Sequence, residues 1–305
     1  MNGLLATLTV TATLAAPAIY IHLGVRNMLR RRPPDAEVTP ETYGLPYEPV
    51  TFKSRDHLTL RGWFIPADDP RGTIIICHGQ SGSMDRDTAW AVPLHETGFH
   101  VLMFDFRGHG RSEGECVTLG YFERLDLLGA LDHLAARGIE CVGVIGLSMG
   151  GAVAISAAGE SRNIAAVVSD SGYTSLRQVL VGALVERGWP PRAARPLAWL
   201  LVKYASWRTG APLETCEPDR VVGIDFRCPL LVIQGDTDPY VPVAAVRAMI
   251  ARSAGPVELW LVPRVGHREA RERYPEEYRR RVVRFFAHWL DEGEGRRAGN
   301  DVNGP

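Results

Sequence analysis

The stretch GLSMG, residues 146–150, joins the apolar run 141–145 to the small-residue segment GAVAISAAG at 151–159. The apolar run predicts a buried strand and the small-residue segment predicts a helix, so the chain passes from strand to helix through Ser148. A serine buried for structural reasons needs no glycine two positions away on each side, whereas a strained turn that pushes the hydroxyl outward needs both. The pattern therefore predicts a nucleophile elbow. The alternative is a glycine-rich turn with an incidental serine.

The surrounding chain alternates between strand and helix patterns. Strands are predicted at 47–54, 58–65, 73–77, 100–106, 141–145, 164–169, 229–233 and 257–262. Helices are predicted at 85–97, 119–136, 149–159, 242–252 and 275–291. Alternating strands and helices indicate a mostly parallel central sheet that is flanked by helices on both faces. The sequence thus predicts one α/β domain over residues 47–291.

A second loop that bears on Ser148 begins at His78 and Gly79, directly after a buried strand. The backbone N–H groups of Gln80 and Met149 are the two donors that we expect to form an oxyanion hole. We expect His78 to brace the loop rather than to act as a base.

The next predicted strand ends in DFRGHGRS, residues 105–112, whose glycines permit a tight loop near Ser148. We expect Asp105, Arg107 and His109 to be scaffold residues, with direct substrate contact as the alternative.

Two further strand ends carry the remaining groups that a serine nucleophile requires. A serine hydroxyl is a weak nucleophile and needs a base, and His267 follows the last predicted strand. The loop GDTDPYVP, residues 235–242, carries two aspartates, Asp236 and Asp238, either of which could orient that histidine. The order serine, acid, histidine is the order of one large class of serine hydrolases.

Five motifs in this order resemble the α/β-hydrolase fold family over residues 47–291. They are G-x-S-x-G, the strand-end H-G, D-x-R-G-x-G-x-S, G-x-x-D-x-x-V-P and the final G-H. The chain is most similar to the single-domain bacterial esterases and to the membrane-anchored Bem46-like branch. The resemblance implies that Asp238 is the acid of a Ser148–Asp238–His267 triad. Ser148 excludes the relatives that use an aspartate nucleophile, the dehalogenases and epoxide hydrolases.

Hydrolysis of a carboxylic ester or thioester through an acyl-enzyme is the function we predict. A serine peptidase of the aminopeptidase kind is one alternative, and a non-catalytic, membrane-tethered interaction protein is another. The reaction requires no metal and no organic cofactor. The net charge of −1 and the scattered arginines give no indication of nucleic-acid binding. Five cysteines without C-x-x-C spacing indicate reduced thiols rather than a disulfide framework.

Residues 172–227 interrupt the alternation and are rich in Trp, Pro and Leu. They lie between two predicted core strands, so they predict a helical insertion that acts as a lid. Seven apolar residues could line an acyl pocket or simply form the core of this insertion: Trp189, Leu197, Trp199, Leu200, Leu201, Tyr204 and Trp207.

The N-terminus carries no charged residue from 3 to 25, and a cluster of arginines follows over 26–32. Length and charge predict a single-pass transmembrane helix with the catalytic domain in the cytoplasm, which would bring the enzyme close to lipid-derived esters. A signal peptide cleaved near 16–18 and a soluble amphipathic arm are the alternatives. We expect a linker over 33–46 and a disordered tail over 292–305.

Overall fold

A computed structural model describes residues 18–223 and 226–301. It contains an eight-stranded sheet with strand order β1-β2-β4-β3-β5-β6-β7-β8. The strands are β1 Glu48–Lys53, β2 Thr59–Ile65, β3 Thr73–Cys77, β4 His100–Phe104, β5 Val142–Leu147, β6 Ile164–Asp170, β7 Leu230–Gly235 and β8 Val257–Val262. β1 and β2 pair antiparallel, β2 also pairs antiparallel with β4, and every other pairing is parallel. The mostly parallel α/β sheet predicted from the sequence is confirmed.

The central strands are buried on both faces, which is why they read as continuous apolar runs. Every residue of β3, β5 and β7 is buried. The edge strand β1 instead alternates between exposed and buried positions. The carboxyl ends of the parallel strands β3, β5, β7 and β8 lie at one edge of the sheet, and the loops that carry the predicted site residues start there.

Helices cover both faces of the sheet. They are α1 18–29, α2 Met84–Asp87, α3 Ala91–His95, α4 Glu123–Ala135, α5 Met149–Ala158, α6 Leu176–Glu186, α7 Pro191–Thr209, α8 Pro218–Val221, α9 Val243–Ile250, α10 Ala270–Arg273 and α11 Pro275–Asp301. One apolar core contains residues of α4, α5 and α9, and a second core on the opposite face contains residues of α3 and α11.

The segment between β6 and β7 is the predicted helical insertion. Its two main helices, α6 and α7, pack against each other and belong to the core that also holds α4 and α5. Pro191 starts α7 at a position that needs no backbone donor, and Gly210 ends it in the left-handed conformation.

Helix α1 packs on this insertion. The rings of Tyr20 and Trp189 lie 5.5 Å apart, and His22 Nδ1 lies 2.9 Å from the hydroxyl of Tyr204. Val25 and Leu29 are buried in the core. The segment after α1 is also attached, because the backbone of Arg32 forms hydrogen bonds with Gly108 and Gly110.

These contacts join the segment before residue 47 to the domain predicted over 47–291. Val25 and Leu29 of α1 lie in the core, and Leu45 is buried as well. The sequence alone did not indicate this packing, because the same apolar residues of α1 also suit a lipid environment.

The predicted transmembrane helix spans 3–25, and its first fifteen residues lie outside the described part of the chain. Within 18–223 and 226–301, no helix combines the length and apolarity that a bilayer crossing demands. The single-pass anchor, its cytoplasmic orientation and the cleavage near 16–18 stay predictions. At the other end, α11 continues to Asp301, so the predicted tail is helical over 292–301, where no proline interrupts the chain.

Candidate active site

Ser148 lies at the strained turn that its neighbours predicted, between β5 and α5. Its φ is 54° and its ψ is −113°, a conformation that non-glycine residues rarely adopt. A Cβ at Gly146 would come within 2.2 Å of the Gly150 carbonyl oxygen, and a Cβ at Gly150 within 2.2 Å of the Cys77 carbonyl oxygen. Both glycines are therefore required by close backbone approach, which explains the serine set between them.

The hydroxyl of Ser148 begins a chain of hydrogen bonds. His267 Nε2 lies 2.8 Å from Ser148 Oγ, and His267 Nδ1 lies 2.8 Å from Asp238 Oδ2. With Nδ1–H donating to the carboxylate, Nε2 is the nitrogen left to accept the serine proton. The structure thus brings together the side chains of Ser148, Asp238 and His267, which the sequence predicted as a triad.

The two candidate acids occupy different environments. The Asp238 side chain is buried, its Oδ1 accepts hydrogen bonds from the N–H groups of Tyr240 and Val241 at 2.8 and 3.1 Å, and the Gln234 amide donates to Oδ2 at 3.2 Å. Asp236 is exposed and accepts a hydrogen bond from the Arg264 N–H. Asp238 therefore faces the histidine, and Asp236 fixes a turn.

A third glycine brings the acid loop and the histidine loop together. A Cβ at Gly235 would come within 2.2 Å of the Val265 carbonyl oxygen. The N–H of Thr237 donates to that same carbonyl at 3.1 Å. The loops after β7 and β8 can approach only because residue 235 has no side chain.

The two predicted oxyanion donors flank Ser148. A Cβ at Gly79 would lie 3.5 Å from Ser148 Cβ, so the loop 79–81 runs directly beside the serine. Met149 is the first residue of α5. Across the described ranges, no protein acceptor pairs with the N–H of Gln80 or of Met149. Two such donors beside a helix N-terminus favour negative charge.

Two buried histidines hold the loop 79–81 in place. His78 Nδ1 donates to the Gly79 carbonyl at 2.8 Å, and its Nε2 accepts a hydrogen bond from the Phe106 N–H at 3.0 Å. His109 Nε2 lies 3.1 Å from the Gln80 carbonyl oxygen. Burial lowers the pKa of each histidine to about 4, which keeps both neutral near pH 7. Both act as scaffold residues, as the sequence predicted.

The arginine of the same strand-end motif also serves the scaffold. Arg107 forms ion pairs with buried Asp126 and with Asp56, both at 2.6 Å. Asp105 accepts hydrogen bonds from the N–H groups of Met84 and Arg111, both at 2.9 Å.

Sequence reasoning missed one feature of the site, its link to α1. The Gln80 side-chain amide donates to the Met28 carbonyl at 3.0 Å, so the last turn of α1 holds the loop 79–81. No local sequence pattern indicates this hydrogen bond, because the two residues are 52 positions apart.

A cavity of about 470 Å³ opens above Ser148, a size that suits a small-molecule ligand. Residues of α1, α6 and α7 form much of its apolar wall: Tyr20, Gly24, Met28, Leu176, Val179, Leu180, Leu184 and Leu201. Of the seven apolar insertion residues singled out from the sequence, Leu201 lines the cavity. Trp199, Leu200 and Trp207 are exposed instead, Trp207 by 75%. No Asp or Glu is among the described residues that line this cavity.

Metal chemistry has no obvious ligand set here. Within the described residues, no three His, Cys, Asp or Glu side chains cluster closely enough to share a metal ion.

Comparison with known proteins agrees with this fold. The family described as serine aminopeptidase (Hydrolase_4) matches residues 68–216. An uncharacterized protein of Mycobacterium tuberculosis is 31% identical over 225 residues, 72% of either chain. An esterase of Pyrococcus furiosus is 28% identical with a TM-score of 0.72, covering 86% of this chain and 98% of its own. The chain belongs to the α/β-hydrolase fold family, and it is a hydrolase.

One relative bears on location. A Saccharomyces cerevisiae protein described as an uncharacterized membrane protein is 24% identical over 218 residues, 69% of each chain. That description applies to the yeast protein.

Proposed function

We propose that this protein is a serine hydrolase that cleaves a carboxylic ester or thioester through an acyl-enzyme. The observation that carries the proposal is the unbroken relay from Ser148 Oγ through His267 to Asp238, with both hydrogen bonds at 2.8 Å. The relay lies at the floor of a largely apolar cavity, where an acyl chain can be buried.

Acylation follows from the relay. His267 Nε2 takes the hydroxyl proton while Ser148 Oγ forms a bond to the acyl carbon, and the carbonyl oxygen gains negative charge. The N–H groups of Gln80 and Met149 stabilise that charge. The bond to the leaving group then breaks, and the proton passes from His267 to the departing alcohol or thiol. Asp238 stabilises the imidazolium that forms in between.

Deacylation repeats these steps with water as the nucleophile. His267 removes a proton from a water molecule, whose oxygen attacks the acyl carbon. The Ser148 Oγ–acyl bond breaks, and the proton returns to Oγ. The products are one carboxylic acid and the free enzyme, so no metal, oxidant or cofactor enters the balance.

The aminopeptidase alternative draws support from the matched family description. An aminopeptidase must bind a protonated amine beside the scissile bond, and a carboxylate is the side chain that binds an amine. The cavity lining described here offers arginines and apolar side chains but no carboxylate. This charge pattern favours an acyl ester over a peptide with a free N-terminus.

Labelling with a fluorophosphonate probe tests the proposal, with p-nitrophenyl esters and aminoacyl p-nitroanilides as competing substrates. We expect labelling and ester turnover in the wild-type protein, and loss of both in Ser148→Ala with an unchanged circular dichroism spectrum. Wild-type turnover in a folded Ser148→Ala variant would overturn the nucleophile. Faster cleavage of the anilides would favour the peptidase, and absence of labelling would favour a non-catalytic protein.

We also propose that the enzyme works at a membrane surface. Residues 3–17 carry no charge and directly precede α1. One outer face of α1 and α7 forms a shallow apolar groove lined by Ala18, Ile19, Ile21, His22, Leu23, Leu200 and Tyr204. Trp207 stacks on Tyr204 beside it, with ring centroids 5.6 Å apart. Apolar and aromatic side chains in this pattern suit the interfacial region of a bilayer.

Flotation of the full chain with phosphatidylcholine–phosphatidylglycerol vesicles tests membrane contact. We expect the protein to float with the vesicles and the double variant Leu23→Glu/Leu200→Glu to float less. Recovery of the wild-type chain in the vesicle-free fraction would contradict this location.

A further inference from the structure

We propose that Arg32 binds an anionic group, a carboxylate or a phosphate, carried by the substrate whose acyl ester Ser148 attacks. The proposal rests on the proposed function and names the class of substrate. It starts from the position of Arg32, which lines the same cavity as Ser148 and His267.

The backbone of Arg32 is fixed beside the loop 79–81. It forms a parallel bridge with His109, accepts a hydrogen bond from the Gly110 N–H and donates one to the Gly108 carbonyl, both at 2.8 Å. His109 in turn contacts the Gln80 carbonyl oxygen through its ring. The backbone that carries this cation is thus held at a set position beside the loop that contains Gln80.

The guanidinium of Arg32 has few hydrogen-bond partners within the protein. Its Nη2 donates to the Asn27 carbonyl at 2.9 Å, while its Nε is buried and has no hydrogen-bond partner. Elsewhere in the described chain, no carboxylate lies within ion-pair distance of it. Burial and the nearby Arg30 lower the pKa of Arg32, which shows that its surroundings disfavour the positive charge.

Two nearby arginines, Arg31 and Arg268, differ from Arg32 in the partners they have within the fold. Arg31 donates to the carbonyls of Gly110, Ser112 and Gly114. Arg268, which also lines the cavity, forms an ion pair with Asp87 at 2.5 Å. The Nε of Arg268 is also buried without a hydrogen-bond partner, but its charge is balanced by Asp87, whereas no carboxylate of the described chain pairs with Arg32.

An anion from the substrate would supply the missing partner. A guanidinium carries its donors in a planar fork that matches carboxylate and phosphate oxygens. A half-buried cation without a counter-charge discriminates strongly, because a neutral substrate leaves its donor unpaired. The cavity lining, without Asp or Glu, does not compete for the cation.

The structural alternative is that Arg32 only caps the C-terminal end of α1 through the Asn27 carbonyl. That role would affect stability and would lower the turnover of every ester equally. A charge-matched pair of substrates separates the two roles.

The test compares kcat/KM for p-nitrophenyl butyrate, hexanoate and octanoate with that for the mono-p-nitrophenyl esters of succinate, adipate and suberate. Each pair has equal chain length and differs by one terminal carboxylate. A second arm compares hexanoylglycerol with hexanoylglycerol 3-phosphate, which distinguishes a phosphate from a carboxylate ligand.

We expect the wild-type enzyme to prefer the anionic member of at least one pair. Arg32→Gln should lose about 10- to 100-fold on that member and keep its rate on the neutral one. Arg32→Lys should restore part of the loss. Arg30→Gln is the matched control, because this exposed neighbour changes the local charge equally without lining the cavity.

Equal losses on neutral and anionic esters, or no anionic preference at any length, would overturn the proposal. So would a loss in Arg30→Gln as large as that in Arg32→Gln. If neither substrate class is turned over and the fluorophosphonate probe does not label Ser148, the proposed function itself has failed, which is a different outcome.

Discussion

The carboxyl edge of the sheet and the layer that covers it are built in different ways. At the edge, a Cβ on Gly146, Gly150 or Gly235 would come within 2.2 Å of a backbone carbonyl oxygen. In the covering layer of α1, α6 and α7, large apolar side chains such as Trp199 are instead half exposed. Close backbone contacts thus position the loops that carry Ser148, Asp238 and His267, whereas side-chain packing forms the wall of the cavity above them.

The strongest test of this contrast uses the two aspartates at the edge. Asp238→Asn should lower kcat by about 10³–10⁴-fold, because an amide cannot stabilise the imidazolium of His267. Asp236→Asn should retain most activity and lose about 1 kcal/mol of stability through its weakened turn bond. Steady-state kinetics and urea unfolding of both variants check this. An inactive Asp236→Asn with a normal Asp238→Asn would move the acid by two residues.

Deletion of α1 tests whether the covering layer contributes to the stability and the activity of the domain. Deletion of residues 1–32 should lower the free energy of unfolding by roughly 3–6 kcal/mol, since Val25 and Leu29 leave the core. It should also lower kcat, because Gln80 loses the Met28 carbonyl. Deletion of residues 1–17 is the control. Equal stability and turnover of both truncated proteins would show that α1 is dispensable.

The pH dependence of the free energy of unfolding tests whether buried His78 stabilises the carboxyl edge of the sheet. His78 has a pKa of about 4 in the folded protein, below the value of about 6.5 in an unfolded chain. The unfolded chain therefore binds more protons between these values, so stability falls as the pH falls from about 6.5 towards 4. Between pH 7 and 5 we expect His78 to account for a loss of roughly 2 kcal/mol. Urea unfolding of wild type and His78→Gln should show the smaller loss in the variant; parallel curves would exclude this role.

The smallest expected effect concerns the shape of the cavity. A Cβ at Gly24 would lie 3.5 Å from Leu201 Cδ2, so a phenyl ring there would fill space between α1 and α7. Gly24→Phe should lower kcat/KM for p-nitrophenyl decanoate by about tenfold and spare the acetate. Leu23→Phe, on the outer face of the same helix, should change neither. A uniform loss on all chain lengths in Gly24→Phe would mean that α1 has shifted rather than narrowed the cavity.

Sequence reasoning succeeded where the cause is local. Strand and helix periods show within a few residues, and all eight strands lie where the pattern placed them. The elbow at Ser148 was readable because its two glycines act within five residues. The choice between Asp236 and Asp238 was not readable from spacing alone and came from family resemblance.

What the sequence determined by itself is therefore the sheet, the turn at Ser148 and the strand ends that carry its partners, because these depend on neighbouring residues. Tertiary structure decided which aspartate faces His267 and where α1 lies. The bond between Gln80 and Met28 and the contact between His22 and Tyr204 join residues 52 and 182 positions apart. Apolar side chains on α1 suit a lipid phase and a protein surface equally well. The folded insertion gives residues 18–29 protein partners such as Trp189 and Leu201, which no local pattern in the sequence indicates.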